Sequence, residues 1–266
     1  MEAHATQQRK GEHFRALHEG EAFIIPNPWD AGSAKVLAGI GFEALATTSS
    51  GFALSLGRPD GNVTLEEVAA HVSAVDAATD LPVSVDLENG YGPEPEQAAA
   101  AIARAAEAGA VGGSIEDWDP GGRIYDFDHA VERVTAAAEA ARRLDFPFTF
   151  TARAENLIRA NPDLDDTIAR LQAYERAGAD VIYAPGLPSG DEIRAVREET
   201  SKPLNVLARP RLTMAAIVEA GGQRISLGGG LAWIAMSTIA AAAGEMLERG
   251  DFSSLRTPVR IDQWLV

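Results

Sequence analysis

A short apolar run followed by a helical stretch recurs eight times along this chain, and that repeat constrains the fold more than any other feature. The apolar runs fall at residues 23–27, 43–48, 82–88, 112–117, 148–155, 181–184, 204–208 and 224–227. Their β-branched and aromatic residues crowd a helix but suit a pleated strand. Helical patterns follow at 31–37, 64–78, 94–108, 127–144, 164–177, 191–199, 214–220 and 232–249, and a polar helix is expected to lead at 7–19. Thr64 and Glu67 have capping-box spacing. Gly109, Gly178 and Gly221 each stand between a helix and the next strand, where a left-handed helix end favours glycine. Eight strand–helix units predict a closed parallel (β/α)8 barrel, with an open doubly wound sheet as the alternative. No GxGxxG follows the first strand, which disfavours a dinucleotide-binding version of the open sheet. The expected division is a lead-in at 1–22, one barrel at 23–250 and a C-terminal extension at 251–266.

Parallel barrels carry their chemistry at the C-terminal ends of the strands. The residues expected there are Asn27 to Asp30, Thr48 to Gly51 with Asp60 in the next loop, Asp86 and Glu88, Glu116 and Asp117, Arg153 and Glu155, and Asn205. Alternation along a strand would aim Asp86 and Glu88 the same way. Adjacent carboxylates require a cation, a shared proton or open water. A hard cation such as Mg²⁺ is the economical answer; a solvated strand end is the other. Carboxylates on neighbouring strands opposite an arginine form the layout of a metal chelated by an anionic substrate.

Charge and composition narrow the partners. A formal net charge of −16 and a pI near 4.7 oppose binding to nucleic acid or an anionic membrane surface. Without cysteine, disulfides, thiolate metal sites and cysteine nucleophiles are excluded. The polar N-terminal stretch has no signal-peptide core, and no apolar run is long enough to span a bilayer without interruption by polar residues, so a cytoplasmic protein is expected. His4, His13, His18, His71 and His129 lack ligand spacing, and four or more of them are expected on solvated helix faces; none supports a Ser-His-Asp triad. Gly228-Gly229-Gly230 has the composition of a phosphate cradle, although close backbone packing is the preferred reading.

Asn27 to Ala34, Leu56 to Asp60, Asp86 to Gly92, Ser114 to Asp117 and Thr151 to Arg153, in that order and spacing, resemble the isocitrate lyase/phosphoenolpyruvate mutase superfamily. The resemblance covers about residues 23–250. It implies a (β/α)8 barrel, a small anionic 2-oxo acid substrate, Mg²⁺ (Mn²⁺ as the alternative), and a homodimer or homotetramer with a swapped C-terminal helix. By this resemblance Asp86 would be the principal metal ligand, and Glu88 and Glu116 would hold metal-bound waters supported by Asp60. Backbone N–H groups near Ser50 and Gly51, together with Arg153, would take the substrate carboxylate or enolate oxygen. Trp29 would wall the pocket, and Asn205 is a further substrate-binding candidate. Arg153, Glu116 and Asp60 form the implied catalytic set.

The chain also departs from that pattern. The lyases' Lys-Lys-Cys-Gly-His type loop is replaced by Trp118 to Arg123, and Ala184-Pro185-Gly186 stands where lyases place a Glu. The Lys and Asn of the mutase loop are not evident. The expected function is therefore Mg²⁺-dependent C–C cleavage, as a lyase or decarboxylase, through a stabilised enolate. The alternatives are a phosphonate mutase or hydrolase, and a member that binds 2-oxo acids without turnover.

Overall fold

The computed structural model describes residues 2–159, 161–257 and 259–265, with side chains from residue 6 onward. In chain order the elements are α1 Glu2–Glu19, β1 Phe23–Ile25, α2 Ala31–Ile40, β2 Leu45–Ala46, α3 Ser49–Ser55, α4 Leu65–Ala78, β3 Val83–Asp86, α5 Pro95–Glu107 and β4 Gly112–Glu116. Then come β5 Trp118–Asp119, β6 Arg123–Ile124, α6 Phe127–Arg142, β7 Thr149–Arg153, α7 Leu164–Ala177 and β8 Val181–Tyr183. The chain ends through α8 Gly190–Glu198, β9 Leu204–Leu207, α9 Met214–Glu219, β10 Arg224–Ser226 and α10 Gly230–Arg249.

Eight of the strands form one parallel sheet in the order β1-β10-β9-β8-β7-β4-β3-β2. No ladder joins β1 to β2, but the Ala46 N–H donates to the Pro26 carbonyl at 3.0 Å and closes the ring. Asn27 ties the same seam, donating to the Thr47 carbonyl and accepting from the Leu227 N–H. The barrel of the sequence analysis is therefore the architecture, as a nearly closed (β/α)8 ring.

Two local elements differ from the sequence reading. The second strand is only Leu45–Ala46, because Thr48 leaves the sheet to cap α3, its hydroxyl accepting the Gly51 N–H. The loop after β4 carries a small antiparallel hairpin, β5 with β6. The expected solvated histidines also need correction. His18 and His71 are buried, His18 against Phe14 and Phe23, and His71 stacked on Phe52.

α1 closes the base of the barrel. Phe14 is fully buried there, and a Cβ on Gly112 would lie 2.6 Å from its ring, so β4 accepts Phe14 only because residue 112 is glycine. Higher in the barrel, cross-strand partners form a continuous polar row: Glu116 with Arg153, Arg153 with Tyr183, Tyr183 with Asn205, Asn205 with Arg224. Barrel strands tilt and stagger, so such a row descends as it passes round the wall. It begins at the last residue of β4, at the mouth, and ends at the first residue of β10, near the base.

α10 stands apart. Only 6% of its apolar window is buried, and Trp233, Ile234, Ile239 and Leu247 are exposed. The helix has 20 residues and a mean hydropathy of 1.4 over an 18-residue window, which makes it long and apolar enough to cross a membrane by length and composition, contrary to the sequence reading. Trp264 of the tail packs on α2, where a Cβ at Gly39 would fall 2.3 Å from the indole.

Candidate functional site

Asp86 ends β3 with its carboxylate held from three sides. Oδ1 accepts from Arg153 Nη1 at 2.9 Å and from the Glu88 N–H at 3.3 Å; Oδ2 accepts from the Ser49 N–H at 3.2 Å. The Thr47 hydroxyl accepts the Asp86 N–H at 3.0 Å. Glu88 reaches the mouth by a different route from the expected strand alternation. β3 stops at Asp86, and Glu88 takes φ +48 with Tyr91 at φ +60. Non-glycine residues in this left-handed region carry about 1–3 kcal/mol of strain each and persist where surrounding contacts hold them. Here the Asp86 carboxylate and the Tyr91 hydroxyl, 3.4 Å from Glu88 Oε1, supply those contacts.

Arg153 organises the opposite wall. Its guanidinium meets Asp86, Glu116 and Glu155, each at 2.9 Å. Glu116 is shared with Arg159 at 3.2 Å, and Glu155 lies 3.5 Å from the same arginine. Arg159 in turn lies over the Trp118 ring. Burial opposes the charge on Arg153, but Glu155, Glu116 and Asp86 outweigh it and hold the guanidinium protonated.

The carboxylates are likewise shifted toward their protonated forms, which for them means loss of charge. Burial first, then the charges of Asp86 and Asp60, push Glu88 up to about 7. Burial and then Glu155 raise Glu116, and Glu155 is itself raised chiefly by burial. Asp60 is raised by the desolvation of its carboxylate and by Asp86, although the residue as a whole is exposed at the rim. Five carboxylates thus face two guanidiniums.

All of these groups except the fully buried Glu155 line two adjoining cavities that share Ser49, Asp60, Arg153 and Ile158. The inner one, about 220 Å³, runs into the barrel past Ser50, Asp86, Tyr183 and Asn205 to Arg224. The outer one, about 480 Å³, is bounded by Glu88, Glu116, Trp118 and Arg159. A larger hollow of about 600 Å³ lies beyond the N-terminal ends of the strands, among Arg15, Asp180 and Lys202, and holds none of the candidate residues.

Most sequence candidates converge on these cavities, with three changes of detail. Gly51 spends its N–H on the Thr48 cap, which leaves the Ser50 N–H without an acceptor among the described residues. Trp29 packs beside Gly51 and does not line either cavity. Glu116 is engaged by two arginines, so Asp86, Glu88 and Glu116 do not form one chelating group. Among the described residues no set of three acidic or histidine side chains is arranged to enclose a metal.

The donor chemistry that remains still suits a hard cation. Mg²⁺ keeps several waters and takes one or two carboxylates. Asp86 and Glu88, whose charges repel each other and which line the inner and the outer cavity respectively, meet that requirement.

Arg159, Tyr183 and Arg224 were not singled out in the sequence. Glu155 and Arg159 sit four apart after a strand, a weak signal for a paired loop. Arg224 offered a better one, since a cation opens a run that should be apolar. The glycines at 228–230 follow the packing alternative: a Cβ on Gly229 would lie 2.9 Å from Ser50 Oγ, which also accepts from Trp233 Nε1 at 3.1 Å.

Residues 14–247 match the family described as phosphoenolpyruvate phosphomutase. A crystal structure from Burkholderia cenocepacia J2315, assigned provisionally as a lyase/mutase, is 50% identical, covers 98% of this chain and 96% of its own, and superposes with a TM-score of 0.94. The 2-methylisocitrate lyase of Halalkalibacterium halodurans is 33% identical over 77% of this chain and 69% of its own length. The oxaloacetate decarboxylase of Paraburkholderia xenovorans LB400 is 31% identical over 77% of this chain and 70% of its own.

Proposed function

Since this chain belongs to the phosphoenolpyruvate phosphomutase family, we propose that it is a Mg²⁺-dependent carbon–carbon lyase or decarboxylase acting on a small 2-oxo acid. The observation that carries this reading is the excess of carboxylates over guanidiniums around one cavity at the C-terminal end of the barrel. An anionic substrate enters such a site only with a further cation.

In this reading Asp86 and Glu88 hold the metal, with Asp60 supporting its water shell. A bound Mg²⁺ supplies Lewis-acid polarisation of the substrate's keto and carboxylate oxygens. Arg153 fixes the acidic wall and keeps its own charge at the substrate. The Ser50 N–H, free of internal partners, is the donor left for the oxygen on which negative charge develops. The hairpin β5–β6 and Trp118 cover the outer cavity and limit water. Decarboxylation suits this chain because it requires no dedicated acid at the position of the lyases' cysteine. The names and identities of the 2-methylisocitrate lyase and the oxaloacetate decarboxylase support this class of reaction. We also propose that the exposed face of α10 packs on a second copy of the chain.

The test is steady-state turnover of oxaloacetate, 2-methylisocitrate and phosphonopyruvate, each with Mg²⁺ and with EDTA. Cleavage of one of the first two, abolished by EDTA, is expected. Turnover confined to phosphonopyruvate would replace this reading with P–C chemistry, and none at all would leave a binding protein.

A further inference from the structure

The two arginines on the polar row are in opposite electrostatic circumstances. Arg153 is surrounded by three carboxylates, and each of its guanidinium nitrogens donates to one. Arg224, more deeply buried, has no carboxylate within ion-pair distance among the described residues. Its partners are all neutral: Nε donates to Asn205 Oδ1 at 2.8 Å, Nη2 to Thr151 Oγ1 at 3.0 Å, and Nη1 approaches His18 Nε2 at 3.3 Å. His18 is neutral in this setting, since burial and the Arg224 charge lower it to about 3. Its Nδ1 donates to the Phe14 carbonyl at 2.8 Å, which leaves Nε2 as the acceptor for Arg224.

A guanidinium has five N–H groups, and these contacts use three. A buried cation is costly unless it is paired, and no acidic side chain among the described residues pairs this one. Yet Arg224 lines the inner cavity, below Asp86, Ser50 and Tyr183. It is therefore a cation placed at the far end of a pocket whose entrance is acidic.

We propose that Arg224 is a specificity-determining residue, which binds the distal carboxylate of a dicarboxylic 2-oxo acid whose other end lies at the mouth. The proposal rests on the 2-oxo acid reading of this site. It gives Arg224 the partner it lacks, and separates the two ends of the substrate by depth in the barrel. It also assigns the row Arg153–Tyr183–Asn205–Arg224 to the pocket wall, with Asn205 orienting the guanidinium that touches the ligand.

The experiment compares two stable probes with the same 2-hydroxy-carboxylate head, malate and 2-hydroxybutyrate, which differ in the distal carboxylate. Binding is measured by calorimetry with Mg²⁺ present, so turnover is not required. The parent should prefer malate by about 10- to 100-fold, the range expected of hydrogen bonds to a charged group. Arg224→Met should lose that preference and keep its affinity for 2-hydroxybutyrate; Arg224→Lys should keep part of the preference. A parent that binds both probes equally overturns the proposal even if neither variant folds. So does a folded Arg224→Met that weakens both probes by the same factor, which would make Arg224 a strut of the barrel. If neither probe binds the parent, the 2-oxo acid reading of the site fails, and this assignment fails with it.

Discussion

Replacing Asp86 with alanine separates a metal-holding carboxylate from a structural one. Asp86 is only 15% exposed and accepts from Arg153, Ser49 and Glu88. Arg153 keeps Glu116 and Glu155 after the change, so the lost ion pair is partly replaced. The Ser49 and Glu88 N–H groups lose their acceptor, at about 1 kcal/mol each by the usual net value of a hydrogen bond. Relief of the Asp86–Glu88 repulsion works in the opposite direction. The metal-free variant should therefore be about 1–3 kcal/mol less stable. For a domain of this size that is a fall in Tm of roughly 2–4 °C per kcal/mol. Ligand then distinguishes the readings. Mg²⁺ with a 2-oxo acid at about a hundred times Kd stabilises the parent by about 2.7 kcal/mol. In Asp86→Ala, whose remaining carboxylates have little direct hold on the ion, the shift should nearly vanish. The assay is a thermal melt of both proteins with and without Mg²⁺ plus pyruvate or oxaloacetate. Equal ligand-induced shifts would refute the metal role. A metal-free variant more stable than the parent would refute the hydrogen-bond accounting.

Two further outcomes are expected. His18 is held near 3 in the folded protein against 6.5 when unfolded, so the unfolded chain binds the extra proton and stability falls as pH drops below 6.5. By pH 5 this amounts to about 2 kcal/mol, and urea unfolding at pH 7 and 5 should show a smaller loss for His18→Gln; identical pH dependence in the two proteins would contradict it. The exposed apolar side chains of α10 should hold copies of the chain together, so light scattering at micromolar concentration should give a multiple of 28.1 kDa, and Ile234→Glu with Ile239→Glu should reduce it; a monomer mass for the parent would reject the assembly.

The barrel was legible because its signal is repetitive: eight apolar runs, each followed by helical spacing, leave few other ways to bury both faces of a parallel sheet. The site was legible as a set of strand ends, which is why Asp60, Asp86, Glu88, Glu116 and Arg153 were found together. What could not be read was how each side chain is already spent. Glu116 looks like a metal ligand in sequence, yet two arginines hold it, and one of them, Arg159, lies in a loop without a pattern. Gly51 looks like an amide donor, yet Thr48 takes its N–H. α3 was missed because seven residues beginning Ser-Ser-Gly read as a turn. His18 and Arg224 were missed for a shared reason: they meet at the barrel base from elements about 200 residues apart, and local spacing carries no trace of that contact.

The charge inventory links these particulars to function. Asp60, Asp86, Glu88, Glu116 and Glu155 face Arg153 and Arg159, which leaves three formal negative charges at the mouth if every acid is ionised. Two unit charges 4 Å apart interact by about 4 kcal/mol at an effective dielectric of 20, so a substrate carboxylate meets a large barrier at that entrance. Without metal the protein lowers this charge with protons: Glu88 is pushed up to about 7, and Glu116 and Glu155 are raised as well. A divalent ion at Asp86 and Glu88 would remove the same excess and displace protons. Protons and metal therefore compete for one site, and the ligand-induced shift of the parent melt should be larger above pH 7 than below it. Arg224 sits on the far side of this balance, outside the reach of the acids, as the cation that remains for the substrate once the mouth has been neutralised.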